Sequence, residues 1–258
     1  MQRLRTQLLA TAAAAALTGT AFAADMGVPM KAPAPAPILY TGWQGWYLGG
    51  SIGAARLNMT ANQTVGPDFG PCSRDSGAET DLTLFSCSTG ATGFTAGVQA
   101  GYDWQSEDFV YGVVADWTWT NLKHTVTNSA VSVPFLEAKV DWLATFRGRM
   151  GMASASGKTL VYLTGGLALA ELKSNAGVVS ECPDKCFNAA LSKTQVGWVV
   201  GTGVEHKLSQ NWSVFGEFLY YDFVKATAQS TTPDGSNSFV YEFTHEIFQG
   251  KLGVNYRF

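Results

Sequence analysis

From Trp43 to the last residue, hydrophobic and polar positions alternate almost one by one in a series of separate runs. Alternation at period two marks a β-strand with one apolar and one polar face, because successive side chains leave a strand on opposite sides. Eight runs carry the pattern: Trp43–Arg56, Ala91–Trp104, Phe109–Thr120, Ala138–Met152, Thr159–Leu172, Lys193–Leu208, Trp212–Val224 and His245–Phe258. In the third, Phe109, Tyr111, Val113, Ala115, Trp117 and Trp119 stand against Gly112, Asp116 and Thr118. In the fourth, Val140, Trp142, Phe146 and Met150 stand opposite Asp141, Thr145, Arg147 and Arg149. The last sets Phe248, Leu252, Val254, Tyr256 and Phe258 against Gln249, Lys251, Asn255 and Arg257.

The connections sort into two classes. The short polar turns "QSED", "ASASGK" and "LSQN" join runs two to three, four to five and six to seven. The stretches 57–90, 121–137, 173–192 and 225–244 are long. Short and long alternate, so an up-and-down meander gathers every long loop at one end and both termini at the other. Loops of that length are uncommon in compact soluble domains, whereas outer-membrane barrels pair short periplasmic turns with long extracellular loops. The pattern predicts an all-β fold, an eight-stranded antiparallel up-and-down transmembrane β-barrel.

Which face looks outward decides between membrane and water. The apolar faces carry Trp and Tyr near the strand ends and Val, Leu, Ala and Gly between them, the layout of a lipid-facing band with aromatic girdles. The polar faces carry acids and bases in nearly equal number, as an interior that pairs its own charges requires. A soluble lipocalin-like barrel produces the same alternation with the faces reversed; the loop asymmetry and the N-terminal leader argue against it. Asp116, Asp141, Arg147, Arg149, Glu217 and Lys251 are the expected lumen charge network. An eight-stranded barrel is only wide enough for side chains to fill, so the network reads as a salt-bridged plug before it reads as a pore.

Composition agrees. Hydrophobic residues make up 46% and charged residues 14%, against roughly 25% charged in soluble domains. Net charge is −3 with three His, which gives nucleic acid no basic surface to bind. Beyond the N-terminus no stretch of about 18 apolar residues offers a helical anchor. At the N-terminus, Arg3 and Arg5 precede "LLATAAAAAL" and then "AFA", a basic region, an apolar region and a small-x-small site. This predicts export with cleavage between Ala23 and Ala24. The segment that follows contains "KAPAPAP", whose alternating Pro favours extended polyproline II. The expected organisation is a signal peptide over 1–23, a Pro-rich periplasmic tether over 24–42 and a barrel over 43–258.

Cys72 and Cys87 lie in the first long loop, Cys182 and Cys186 in the third. An even count in an exported protein reads as disulfides. Local pairing, Cys72–Cys87 and Cys182–Cys186, is the simplest of three connectivities, and metal binding through "CPDKC" is the alternative, without a His in either loop to support it. His124, His206 and His245 are scattered and read as solvated rim residues. The neighbouring His206 and Glu205 point to opposite faces of a strand, so no catalytic set of nucleophile and base is evident.

Taken together, "MKAPAPAP", the "WQGWYLGG" opening, "ATFRGRMG", "LVYLTGGLA", "GTGVEHKLSQNWSVFGEFLYYDF" and the closing "GVNYRF" resemble the small outer-membrane immunogenic proteins of alpha-proteobacteria, a porin-like β-barrel group. That resemblance implies an abundant surface antigen that stabilises the envelope, and haem binding in some relatives. The ending also resembles the C-terminal assembly signal of outer-membrane proteins. It implies that Gly250, Leu252, Val254, Tyr256 and Phe258 are read by the barrel-assembly machinery after periplasmic chaperones deliver the chain. The expectation is a structural, surface-exposed, non-enzymatic barrel in the bacterial outer membrane, without cofactor, with both termini periplasmic. Its partners are outer-membrane lipids and lipopolysaccharide. The alternatives are a narrow channel for ions or small solutes, or haem or ligand binding by the loops; a barrel enzyme comes third.

Overall fold

The computed structural model describes residues 42–65, 86–127, 134–178, 187–231 and 238–258, all within one compact unit. The expected signal peptide, its cleavage site and the tether up to residue 41 lie outside the described residues. Nine strand segments follow in chain order: β1 (Gly45–Val65), β2 (Ser86–Ser106), β3 (Phe109–Thr127), β4 (Pro134–Ala153), β5 (Thr159–Val178), β6 (Phe187–Lys207), β7 (Trp212–Phe223), β8 (Ala226–Thr231) and β9 (Ser238–Arg257). Each of β1 to β6 pairs antiparallel with the next, and β9 pairs with β1 to close the sheet. β7 and β8 both pair with β9 and are separated only by Val224 and Lys225. They form one wall position, so the barrel has eight staves. β6 pairs with β7 from Gly197 to Lys207 and β9 with β1, so the sheet is closed along its lipid-facing part and the backbone there is satisfied inside the sheet; above Gly197, β8 pairs with β9.

The turns at one end are short. Between β2 and β3 the chain reverses at Glu107 and Asp108, with Glu107 at φ 55°, and Gln105 Nε2 donates to the Glu107 carbonyl at 2.6 Å. Between β4 and β5, Gly157 takes φ 69°, a conformation that costs glycine nothing.

β1 to β6 and β9 run 19 to 21 residues, about twice the 9–11 that a bilayer requires of a tilted strand. Two aromatic girdles locate the membrane-facing part. Near the short turns, Trp46, Tyr102, Trp104, Tyr111 and Phe109 form a chain of ring contacts 4.8–6.1 Å apart, and Trp212, Tyr256 and Phe258 form another. Further up, Trp117 stacks on Trp142 at 4.5 Å, and Tyr220 touches both Trp198 and Phe248. Between Tyr111 and Trp119 on β3 the chain rises about 27 Å along the strand, which at a tilt of about 35–45° spans roughly 19–22 Å, somewhat less than the usual apolar band of about 25 Å.

Above the second girdle the polarity of each strand inverts. On β1 the outward residues change from Trp46, Leu48 and Ile52 to Arg56, Asn58 and Thr60, while the inward ones become Leu57, Met59 and Ala61, all buried. On β9, Tyr241, Phe243 and Ile247 point inward and Glu242, Thr244 and Glu246 outward; from Phe248 onward the apolar side is the outer one. The half near the long connections is therefore built like a soluble barrel, largely apolar inside and polar outside, next to a lipid-facing half built the other way. The expected strand ends fell short for this reason. Where a loop was expected from Leu57, β1 continues to Val65, and within the stretch 121–137 β3 continues to Thr127 and β4 starts at Pro134.

Candidate functional site

Inward side chains fill the barrel in layers. Nearest the short turns, Arg149 donates to Asp103 Oδ1 at 2.7 Å and to Glu205 Oε2 at 2.9 Å. Arg257 reaches Asp103 Oδ2 at 2.8 Å. Ser213 Oγ and Asn255 Nδ2 complete Glu205 Oε1 at 2.6 and 2.9 Å. Trp43, fully buried, closes this end: its carbonyl accepts from Arg257, and the Lys207 ammonium lies 4.7 Å over its ring. Tyr47 lies under both guanidiniums at 4.6 and 5.0 Å, and its ring occupies the space that a side chain at Gly101 would need.

One layer higher, Arg147 Nη2 bonds Asp116 Oδ2 at 2.8 Å and Glu217 Oε2 at 3.3 Å. Lys251 Nζ meets the same Glu217 oxygen at 2.9 Å, and the Tyr162 hydroxyl donates to Glu217 Oε1 at 2.8 Å. Thr145 and Thr164 occupy further donors of Arg147. The lower layer thus pairs Asp103 and Glu205 with Arg149 and Arg257, and the upper pairs Asp116 and Glu217 with Arg147 and Lys251, all nearly unexposed, so each of these buried charges has an opposite partner. Above them Tyr221 donates to Gln249 at 2.7 Å and Gln249 to Thr95 at 3.1 Å. Beyond this amide layer the interior is mostly apolar: Leu57, Met59, Leu122, Val140, Leu143, Leu172, Phe223, Phe243 and Ile247 are at most 2% exposed, with Ser174, Gln195 and His245 buried among them.

Of the residues expected in the lumen network, Asp116, Arg147, Glu217 and Lys251 come together and Arg149 sits in the layer below. Asp141 does not belong to it. β4 shifts register between Val140 and Leu143, and the extra residue turns Val140 inward and Asp141 outward, where Lys139 and Lys173 each hold it at 2.6 Å. Those two ammoniums keep the Asp141 carboxyl below the usual carboxylate range. Asp103, Glu205 and Arg257 complete the lower layer; their polar-face alternation was visible, but the cross-barrel contacts were not. Cys72, Cys182 and Cys186 lie outside the described residues, and of Cys87 only the backbone, opposite Ala61, is described. Gly250, Leu252, Val254, Tyr256 and Phe258 all project toward the lipid side of β9 and its end.

Comparison with known proteins agrees with this geometry. Residues 9–258 match the family model described as outer membrane protein beta-barrel domain. The chain belongs to that family. Among relatives, the 31 kDa outer-membrane immunogenic protein of Brucella melitensis is 31% identical over 99% of this chain and 100% of its own length. The 22 kDa outer membrane protein of Rhizobium leguminosarum bv. viciae is 31% identical over 73% of this chain and 68% of its own. Among solved structures, the outer membrane protein OprG from Pseudomonas aeruginosa aligns with a TM-score of 0.53 at 13% identity, over 84% of this chain and 98% of OprG. That likeness concerns the fold.

In this outer-membrane β-barrel, His245 corrects an expectation. It is not a solvated rim residue but 1% exposed, with Nε2 at 3.0 Å from Ser174 Oγ and its ring stacked on Phe243. It stands above the second girdle, and burial pulls its imidazole down to about 4, so it is neutral at ordinary pH. A His–Ser contact is the seed of nucleophilic catalysis, yet here Nδ1 has no orienting partner, Ser174 is also near Met59 Sδ, and both residues are sealed in the apolar core. Without access for a substrate, the pair is a packing contact. His206 is exposed and bonds Thr159 at 3.0 Å, while its neighbour Glu205 faces the lumen, the opposed arrangement that the alternation implies.

Proposed function

We propose that this outer-membrane barrel is a structural, surface-exposed protein that does not conduct, and that its long connections meet the outside world. The observation that carries the reading is the filled interior: two layers of mutually paired charges, an amide layer and a mostly apolar core in series. A pore needs a continuous water path lined by groups that an ion can exchange for its hydration shell, and paired, buried charges supply none. Its partners on this reading are outer-membrane lipids and lipopolysaccharide around the wall, with the assembly machinery and chaperones acting only during biogenesis. The wild-type protein in planar bilayers should give no stepwise conductance. Regular single-channel steps from heat-modifiable, folded protein would establish the channel alternative instead.

The reading places the short turns and both termini in the periplasm. Trypsin added to intact cells should cut in the connections 66–85 and 179–186, which contain Arg74 and Lys185, and spare Lys158 in the β4–β5 turn. A Cys182–Cys186 bridge would slow the cut at Lys185. Lys123 should also resist, since it lies inside β3 opposite Lys139 and a protease needs an unpaired extended segment. Cleavage at Lys158 on intact cells would mean that the barrel sits the other way up.

A further inference from the structure

The lipid-facing surface is not uniform. Across β7, β9, β1 and β2, one row of outward positions reads Phe218, Gly250, Ala54, Phe94. Two exposed phenylalanines stand on either side of a gap in which Gly250 and Ala54 present almost no side chain. The gap is the mouth of a hollow of about 1000 Å³, floored by the strands and walled by Phe94, Phe218, Trp119, Ile52 and Leu252. A second hollow of about 960 Å³ continues it toward the short turns and shares Ile52, Ala96, Trp119, Gly216 and Leu252 with it. The groove therefore runs down the membrane-facing wall.

The second aromatic girdle breaks at the head of this groove. Tyr220 and Phe248 occupy the row above on β7 and β9, but on β1 and β2 that row continues with Arg56 and Thr92. Arg56 is exposed, and its one described partner is Asn58 Oδ1 at 3.3 Å. Glu246 on β9, opposite Asn58 and so diagonal to Arg56 in the sheet, is hydrogen-bonded to Tyr220. From Arg56 upward, the described outward positions of β1, β2 and β3 carry Arg56 and Lys123 among Asn, Thr, Gly and the terminal Val65, while the outward acids of this level, Glu242 and Glu246, stand on β9 beside β1.

We propose that this groove binds a phosphorylated, multiply acylated glycolipid of the outer leaflet, the class to which lipopolysaccharide belongs. The acyl chains lie in the two joined hollows, a phosphate sits on Arg56, and Asn58, Thr60 and Thr92 face the sugar. Arg is suited to this because its planar guanidinium offers paired donors to phosphate oxygens. The inference rests on the proposed orientation, which puts this half in the outer leaflet.

The test uses the full-length protein made in a lipopolysaccharide-bearing host, extracted in mild detergent, with bound lipid counted by native mass spectrometry. The wild type should retain the glycolipid through washing. Arg56→Gln should lower retention about tenfold, the loss of one charge-assisted contact. Gly250→Leu should lower it at least as much by filling the groove; a Cβ there meets Phe218 at an ordinary 3.7 Å, so the wall tolerates it. Met150→Leu, on the lipid face of β4, should change nothing. Heat-modifiable migration confirms that each variant is folded, and Arg56→Gln, being exposed, decides the matter if Gly250→Leu does not fold. Equal retention in all variants overturns the proposal, as does equal retention of phosphatidylglycerol, or a cross-linked dimer that Gly250→Leu abolishes. Trypsin cleavage at Lys158 on intact cells would mark a failure of the orientation, and conductance a failure of the structural reading; neither outcome mimics loss of binding confined to the groove variants.

Discussion

Arg147→Met is expected to destabilise the folded barrel by about 3–5 kcal/mol, the usual consequence of stranding buried charges by removing their partner. Arg147 is fully buried and lies between Asp116 and Glu217. Without it, two carboxylates share Lys251, which reaches Glu217 at 2.9 Å but Asp116 only at 3.9 Å. Asp116 would keep hydroxyl donors from Thr118 and Thr145, too little to hold a charge in a dry interior. The measurement is urea-driven unfolding in lipid vesicles, followed by tryptophan fluorescence. Arg147→Met with Asp116→Asn should recover at least half of the loss, because it leaves Glu217 and Lys251 as a neutral pair. Lys173→Ala, at a half-exposed ion pair with Asp141, should stay within about 1 kcal/mol. A single Arg147→Met variant as stable as wild type would mean that the charged layers do not hold the lumen together.

The second large effect concerns assembly rather than stability. Phe258→Asp should remove most of the assembled protein from cells, while Asn255→Gln should lower it far less. Phe258 is 70% exposed, packs edge-on against Tyr256 at 5.2 Å, and its N–H bonds the Trp46 carbonyl at 3.1 Å, a bond that any residue there retains. A carboxylate on the lipid face near the interface costs only about 0–1 kcal/mol, so refolding of purified Phe258→Asp into detergent should be close to normal. Asn255 is buried and bonds Glu205 and Gln99, so Asn255→Gln disturbs the lumen and spares the terminal aromatic. Loss in cells with normal refolding points to recognition of the terminal residues by the assembly machinery. If Phe258→Asp left cellular levels of heat-modifiable protein unchanged, the assembly-signal reading would be wrong.

Alternation along the chain was enough to determine the barrel. Period two sorts side chains onto two faces whatever the surroundings, and the succession of short and long connections allows one meander, so strand order, closure and the lipid-facing aromatics were legible at Trp46, Tyr111, Trp119 and Phe258. The half near the long connections was legible in part: "YEFTHEIF" alternates as cleanly as "GKLGVNYRF", but with the phase reversed at Phe248. What that reversal meant needed height above the membrane, which a sequence does not carry. His245, read along the strand, was a rim residue; folded, it is sealed against Ser174 and Phe243. Asp141 was assigned to the lumen by carrying the phase of Arg147 and Arg149 through Trp142, and only the register of β4 against β3 and β5 shows the extra residue that turns it outward. The pairing of Arg149 with Asp103 and Glu205, of Arg147 with Asp116 and Glu217, and the groove between Phe94 and Phe218 join residues 31 to 124 positions apart in the chain. Such contacts depend on barrel curvature and side-chain reach across a closed lumen, which no local pattern encodes.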